Sequence, residues 1–488
     1  MADRIDLSPG LIALIKISCT STGQSENQDV SLDNSQNNES IASSFGPNIA
    51  TLKALANNQI NAYQYTSVPV QYLQILSEAC CLLSISLVEN WFRFNNHRQA
   101  SFPFDAIIRE IDTGLIIGGS AVRHSLRQLI NKFYNVLAEY ETITVVQKRK
   151  NIFSEFMCSQ SDLKICESMR AYLDPSCLVD VIQGPEIDNA SKLLSTSQSN
   201  HLINNGFSSF LEPKCIRSIA SSWPASESWN RVGYLMEATS NGRRIVPVEI
   251  GSSYVSEAWT QKFVSFGDLL SECLLLPRFE DRPAKSYLAQ YDLFLQINSL
   301  RKDILVPNLI HFPEISTKDS VTINAWIGPR GTISPLHTDP YNNVLVQVVG
   351  CKYLRLYNPS ATMYPREPEN GIDMSNTSTV ELEKGCVEKY FDEDFSPSKS
   401  AWIDGDEMTT DLFAQLRHAS RMKREYRDQF PEFQWESGFL ECILSPGDGL
   451  FIPVGFLSFL YHLCSSVKAG WWHYVKSLTP SASVNFWF

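Results

Sequence analysis

The chain has no excess of basic charge: 41 Lys and Arg stand against 53 Asp and Glu, a formal net charge of −12, with an isoelectric point near 5.3. Broad binding to nucleic acid needs a basic face that displaces phosphate counterions, so no direct nucleic-acid partner is expected. The stretch 417–427 is locally basic but partly offset by Glu425 and Asp428. It reads as the solvated face of a helix or as a docking surface for an acidic partner. The N-terminus lacks a basic segment leading into an apolar signal core, and no run approaches the roughly 20 apolar residues of a spanning helix. Neither secretion nor a membrane partner is therefore expected. The twelve cysteines lack the repeated spacing of a disulfide framework or a zinc site, and adjacent Cys80 and Cys81 read as buried small hydrophobes. These absences favour a reducing intracellular compartment; with no basic import segment, nucleus and cytoplasm both stay open.

A length of 488 residues exceeds one ordinary core and implies two or three domains. Residues 21–44 are rich in Ser, Asn, Gln and Asp, and 1–47 is expected to be a flexible segment. From 48 to 188 apolar residues recur at near-helical spacing, as in Leu73, Leu76, Ala79 and Leu83, then Ile107, Ile108, Ile111 and Leu115, then Leu126, Leu129, Ile130 and Phe133. An all-helical domain of about five to seven helices is expected there. A linker over 189–215 leads to a β-rich remainder, 216–488.

Within that remainder the segment His337-Thr338-Asp339 places two metal-binding side chains at i and i+2, which share one side of a β-strand. Alone it is a weak signal, since most such pairs are surface polar groups. With a further histidine from another strand it makes the two-His, one-carboxylate set that holds non-haem Fe(II) on one face and leaves the other open. The run Asn343 to Tyr357, broken at Gly350, reads as two strands. Strand, Pro-Gly turn, strand follows from Leu440 to Pro453, and 481–488 alternates as a last strand should. The fold class expected is α+β: a C-terminal double-stranded β-helix, a cupin-like jelly-roll barrel, behind an all-helical N-terminal domain. Lys352 interrupts the apolar run and admits two readings, a solvent-facing residue of an amphipathic strand or a cation projecting into the barrel to hold a carboxylate.

The segments 322–329, 334–340, 347–353, 444–448 and 472–475, with 222–225, 246–254 and 287–290 upstream, resemble the JmjC family of Fe(II)/2-oxoglutarate oxygenases. Within it they are most similar to the JmjC-domain-containing protein 5 group, also called the lysine-specific demethylase 8 group. The resemblance runs from about Ile216 to the C-terminus. It implies His337, Asp339 and His473 as Fe(II) ligands and Lys352 as partner of the distal carboxylate of 2-oxoglutarate. Tyr287, Ser334 and Asn343 would bond the same co-substrate, and Gln290, Trp326 and Trp487 would line the substrate pocket, with O2 as the second co-substrate. Residue chemistry leaves alternatives: Trp326 and Trp487 as ordinary buried aromatics, Ser334 as turn chemistry, Tyr287 as a core residue with a satisfied hydroxyl. The activity implied is oxidation of a protein or peptide, first as an arginyl side-chain hydroxylase, second as a histone N-methyl-lysine demethylase.

Two departures from the family pattern stand out. Phe456 to Gly470 separates Phe451-Ile452-Pro453-Val454-Gly455 from Trp471-Trp472-His473, and removing it restores an uninterrupted motif. The pattern is that expected of a translated intron kept in the sequence by a faulty gene model, and sequencing the spliced transcript decides it. If the insertion displaces His473, a third reading follows, a non-catalytic interaction protein. His462 inside it is a rival third ligand, whereas His201, His311 and His418 read as surface or loop histidines. The region 369–434 is the other departure, an expanded loop able to shape substrate access.

Overall fold

In a computed structural model of the chain the described residues are 41–63, 67–94, 102–134, 155–183, 212–275, 286–311, 318–368, 373–386, 423–454 and 470–488, apart from 252–254, 256–258 and a few single positions within these ranges. The chain forms two compact units. One comprises Met1–Lys150, Met236–Pro247 and Phe263–Gly267; the other comprises Asn151–Leu235, Val248–Lys262 and Asp268–Phe488.

The first unit is built on α1 (Ile41–Asn61), α2 (Val70–Phe94) and α3 (Phe104–Gly118). The apolar stripes close as their period predicts. Leu52 and Ala56 of α1 pack on Ile75, Leu76 and Cys80 of α2, and Ile107, Ile108, Ile111 and Leu115 of α3 gather with Cys81, Leu126, Ile130 and Tyr134. Gly114 lets α3 approach α2 closely, because a Cβ there would stand 2.9 Å from that of Cys80. Asp112, buried among these helices, is matched by Arg244, whose Nε and second guanidinium nitrogen reach it at 2.8–3.1 Å, and by the Tyr134 hydroxyl at 3.0 Å. A charge removed from water needs such a set of partners.

Three sequence expectations change here. Helix α1 begins at Ile41, inside the stretch 1–47 expected to be flexible. The helical domain stops short of 188: helix α4 (Gln160–Arg170) belongs to the second unit, and β1 (Asp180–Gln183) pairs in parallel with β2 (Lys214–Arg217) of the barrel. Residues 184–211, most of the expected linker, lie outside the described residues. Finally, α2 contains a window, Val70–Val88, long and apolar enough by length and composition to span a membrane. Glu78 is the one charged residue in it and is buried, and half of the window is covered by protein. Its apolar content is spent on packing between α1 and α3, as in a core helix.

The remaining strands are β3 (Ile245–Ile250), β4 (Thr260–Ser265), β5 (Ser286–Tyr291), β6 (Thr322–Gly328), β7 (Ile333–His337), β8 (Asn343–Val349), β9 (Lys352–Tyr357), β10 (Phe439–Leu444), β11 (Gly449–Ile452), β12 (Trp472–Ser477) and β13 (Ser481–Trp487); all belong to the second unit except 245–247 of β3 and 263–265 of β4, which are counted with the first. They form a large sheet in the order β1-β2-β11-β8-β13-β6-β5-β3-β4 and a small one in the order β10-β9-β12-β7. Leu345 and Ile452 of the large sheet meet Leu354, Leu356 and Val475 of the small one in a shared core. This is the jelly roll that the alternation anticipates.

All six residues of β9 are buried. Lys352 faces a cavity between the sheets and Leu354 and Leu356 face the shared core, while Tyr353 and Tyr357 lie in an outer cluster with Phe433, Trp435, Phe439 and, from α4, Cys166 and Met169. Arg355, also fully buried, bonds the Tyr353 hydroxyl at 2.8 Å, and that hydroxyl donates to Glu441 at 2.7 Å. Helix α4 opens with a capping box in which the Asp162 amide donates to Ser159 Oγ and the Ser159 amide donates to the Asp162 carboxylate.

Candidate metal centre

His337 ends β7, Asp339 follows two residues later, and His473 lies on β12, the neighbour of β7. Antiparallel pairing sets His473 directly opposite His337, with an irregularity immediately after His473. Their ring centroids are 4.2 Å apart. One donor atom from each of the three residues falls within 4.8 Å of the others, and among the described residues no other trio of His, Cys, Asp or Glu converges this way. Asp339 is not on the strand, as i, i+2 spacing suggested. The segment that carries it is fixed by the Thr338 amide donating to Asn376 O at 2.9 Å and by a bridge between His337 and Thr377. The part of 369–434 that is described thus braces the ligand segment; 387–422 lies outside the described residues.

Each imidazole is oriented by its own backbone. His337 Nδ1 lies 2.7 Å from Pro335 O, and His473 Nδ1 lies 3.1 Å from Trp471 O. A carbonyl only accepts, so Nδ1 carries a hydrogen in both rings, which in the neutral form leaves Nε2 with a bare lone pair. Burial, followed by the neighbouring His337, lowers the His473 pKa to about 4, so its ring is neutral. The bare Nε2 of His473 stands 3.4 Å from Asp339 Oδ2, and that of His337 stands 3.7 Å from Oδ1. Lone pairs facing a carboxylate without a hydrogen between them repel. A cation among them turns all three contacts favourable, and two donors each about 2.1 Å from one ion at right angles lie about 3 Å apart. The donor set therefore fits a divalent metal.

Beside the trio lies a cavity lined by Tyr287, Trp326, Ser334, Asn343, Leu345, Lys352, Ile452, Val475 and Asn485 as well as the three donors. Lys352 is fully buried, its Nζ donates to the Tyr287 hydroxyl at 3.1 Å, and it faces the rings of Tyr287 and Trp326 at 5.5 and 6.0 Å. Among the described residues no carboxylate pairs with it, and burial lowers its pKa to about 7. Of the two sequence readings the solvent-facing one is excluded. The Tyr287 hydroxyl, raised well above its usual range by burial, also meets Ser334.

Eight of the ten residues expected at the site line this cavity. Gln290 does not: it is exposed, with φ 46° where the register between β5 and β6 shifts, and it lies three residues after the cavity-lining Tyr287, a spacing that strand alternation sets on the opposite face. Trp487 is half-buried and lies outside the lining, its ring 6.2 Å from that of Tyr341. The sequence reading missed Asn485, whose amide faces the cavity, and Asn376 and Thr377, which hold the ligand segment. His311 is exposed and away from the site; His201, His418 and His462 lie outside the described residues.

Residues 455–469 also lie outside the described residues, but the chain on either side of them is in contact: the Trp471 amide donates to Pro453 O at 3.4 Å. With 456–470 deleted, Trp471 becomes the fourth residue of a turn Pro453-Val454-Gly455-Trp471 that closes on this same bond. Deletion of 456–470 is therefore expected to leave metal affinity within about threefold of the full chain, since loop length itself costs little. A metal titration of both proteins checks this, and loss of binding in the shortened chain refutes it.

Residues 208–488 match the cupin-like domain family. Over 437 residues, 88% of this chain and 84% of the relative, the sequence is 30% identical to lysine-specific demethylase 8 of Danio rerio. Over 276 residues it is 34% identical to lysine-specific demethylase JMJ30 of Arabidopsis thaliana, covering 57% of this chain and 49% of that protein, so the chain spans about half the length of the plant relative. A more distant relative is the bifunctional peptidase and (3S)-lysyl hydroxylase JMJD7 of Homo sapiens, 23% identical over 57% of this chain and 77% of that protein. With the jelly-roll barrel and the His-Asp-His trio at its mouth, these matches place the chain in the JmjC family of cupin-like 2-oxoglutarate-dependent oxygenases.

Proposed function

We propose that the chain is an Fe(II)- and 2-oxoglutarate-dependent protein oxygenase that hydroxylates a side chain, with arginine as the first choice. The observation that carries the reading is the pair of imidazole Nε2 atoms facing Asp339 beside a buried Lys352 amine that, among the described residues, has no carboxylate partner. When bound, Fe(II) supplies the activation of O2: one oxygen atom enters a substrate C–H bond as C–OH, and the other joins 2-oxoglutarate, which leaves as succinate and carbon dioxide. His337, Asp339 and His473 hold the metal. Lys352 pairs with the distal carboxylate of 2-oxoglutarate, and Tyr287 and Ser334 donate to it. Leu345, Ile452 and Val475 keep one wall of the site dry.

A basic substrate is supported by Glu249. It lies opposite Tyr287 in the β3–β5 register, so its side chain shares the face that Tyr287 presents to the cavity, and burial raises its carboxyl. A guanidinium or ammonium is the charge that would balance it. The names of two relatives, both lysine-specific demethylases, favour a second reading, N-methyl-lysine demethylation, whereas the name of the third, a lysyl hydroxylase, goes with side-chain hydroxylation. There the hydroxylated methyl group breaks down to formaldehyde and the free amine. The ten described cysteines are all free and buried, which supports a reducing compartment, nucleus or cytoplasm.

Incubation with Fe(II), 2-oxoglutarate and O2 on arginine- and methyl-lysine-containing peptides tests both readings by mass spectrometry. A gain of one oxygen on unmethylated arginine peptide is expected. Formaldehyde with loss of a methyl group supports the second reading instead, and absence of succinate and of both products across the peptide set overturns the two together in favour of a non-catalytic protein.

A further inference from the structure

A hydrogen-bonded line crosses three adjacent strands of the large sheet and ends on the carboxylate of the trio. Trp326 Nε1 on β6 donates to Asn485 Oδ1 on β13 at 2.9 Å, Asn485 Nδ2 donates to Asn343 Oδ1 on β8 at 3.3 Å, and Asn343 Nδ2 donates to Asp339 Oδ2 at 2.7 Å. Its direction is fixed at one end. An indole N–H can only donate, so the Asn485 atom that it meets is the oxygen; the nitrogen then faces Asn343, whose own nitrogen must point at Asp339. Flipping either amide would set oxygen against oxygen. Asn485 and Asn343 are 1% and 5% exposed, and in such a dry setting a mismatched polar contact is costly.

We propose that Asn485 is a positioning residue for the metal: acting through Asn343, and locked by the Trp326 indole, it aims a donor at Asp339 Oδ2 and holds the carboxylate plane toward the two imidazoles. The chemistry is that of an outer hydrogen-bond partner which keeps a ligating carboxylate in place and tunes its donor strength. The inference rests on the metal-binding role proposed above for the trio, and it changes the part expected of Asn343, whose amide is engaged by Asp339 rather than reserved for the co-substrate.

The test is binding of the metal alone to the full chain. Mn(II) is titrated by the fall in its free electron paramagnetic resonance signal, and Co(II) by its visible absorption, for the wild type, Asn485→Leu and Trp326→Phe. The last keeps an aromatic wall and deletes the N–H together with part of the indole's bulk. Asn485→Leu is expected to bind Mn(II) about 10- to 100-fold more weakly, the usual cost of losing an outer partner. Trp326→Phe is expected to weaken binding less, and both should change the Co(II) spectrum, with an affinity loss that does not scale with the fall in metal-free unfolding midpoint that an orphaned buried polar group brings. Wild-type affinity within twofold in both variants overturns the inference and leaves the metal site standing. An affinity loss that tracks a lowered metal-free midpoint in both also overturns it, because the role is then structural. A wild type that binds neither metal overturns the reading beneath it.

Discussion

His473→Ala is expected to abolish Mn(II) and Fe(II) binding at micromolar metal and, with it, 2-oxoglutarate turnover. The trio has two members close in sequence, and His337 and Asp339 alone leave one side of the ion unheld. Loss of a ligating nitrogen must cost more than the about 100-fold that outer partners cost. The fold should survive, because the ring contributes one backbone hydrogen bond, to Trp471 O, worth about 1 kcal/mol net. The result therefore separates a metal ligand from a core residue: metal affinity collapses while the metal-free unfolding midpoint moves by a few degrees. His462→Ala is the control and should bind metal as the wild type does. If His462→Ala lost the metal and His473→Ala kept it, the third ligand would be misassigned and the geometry of β7 and β12 would have no catalytic meaning.

The ligand pair was legible in the sequence because a period of two is the one spatial rule that a strand imposes on its own residues, although here the strand stops at His337 and a braced turn carries Asp339. Lys352 was legible as an anomaly, a cation in an apolar run, but only burial on both faces of β9 decides between its readings. Asn485 was invisible for a physical reason. On β13 the polar set Ser481, Ser483 and Asn485 alternates with Ala482, Val484 and Phe486, which sequence reasoning assigns to the outside and inside of a sheet. In this barrel the polar set faces a polar interior, Ser483 bonding Gln347 at 2.7 Å and Asn485 lining the cavity. The apolar set packs on the other side, with Phe486 against Trp223. The helical unit was readable as helices, since its stripes follow the helical period, but its end was not. A strand of four residues such as β1 pairs with a partner that only the fold reveals.

Lys352→Met should raise the stability of the metal-free protein and destroy its affinity for 2-oxoglutarate. Methionine keeps the length of the stem and removes an amine that burial lowers to about 7, so the empty protein gains by losing a desolvated charge. In the complex the co-substrate carboxylate would be left in the barrel without its partner, a loss of about 3–5 kcal/mol, or roughly two to nearly four orders of magnitude in affinity. Opposite signs in two measurements are hard to obtain otherwise, since a merely structural lysine would lower both. The pH dependence follows from the same shift. The unfolded chain holds this proton up to about 10.5 and the folded chain only to about 7, so over that window the unfolded state binds more protons and this group makes stability rise with pH. Co-substrate binding runs the other way: the carboxylate needs the ammonium, so above pH 7 binding must take up a proton and apparent affinity falls by up to about tenfold per pH unit. Calorimetry at pH 8 in two buffers of different ionisation enthalpy should register uptake of nearly one proton by the wild type. A wild type that takes up none, with an affinity flat from pH 6.5 to 8.5, would remove Lys352 from the co-substrate site.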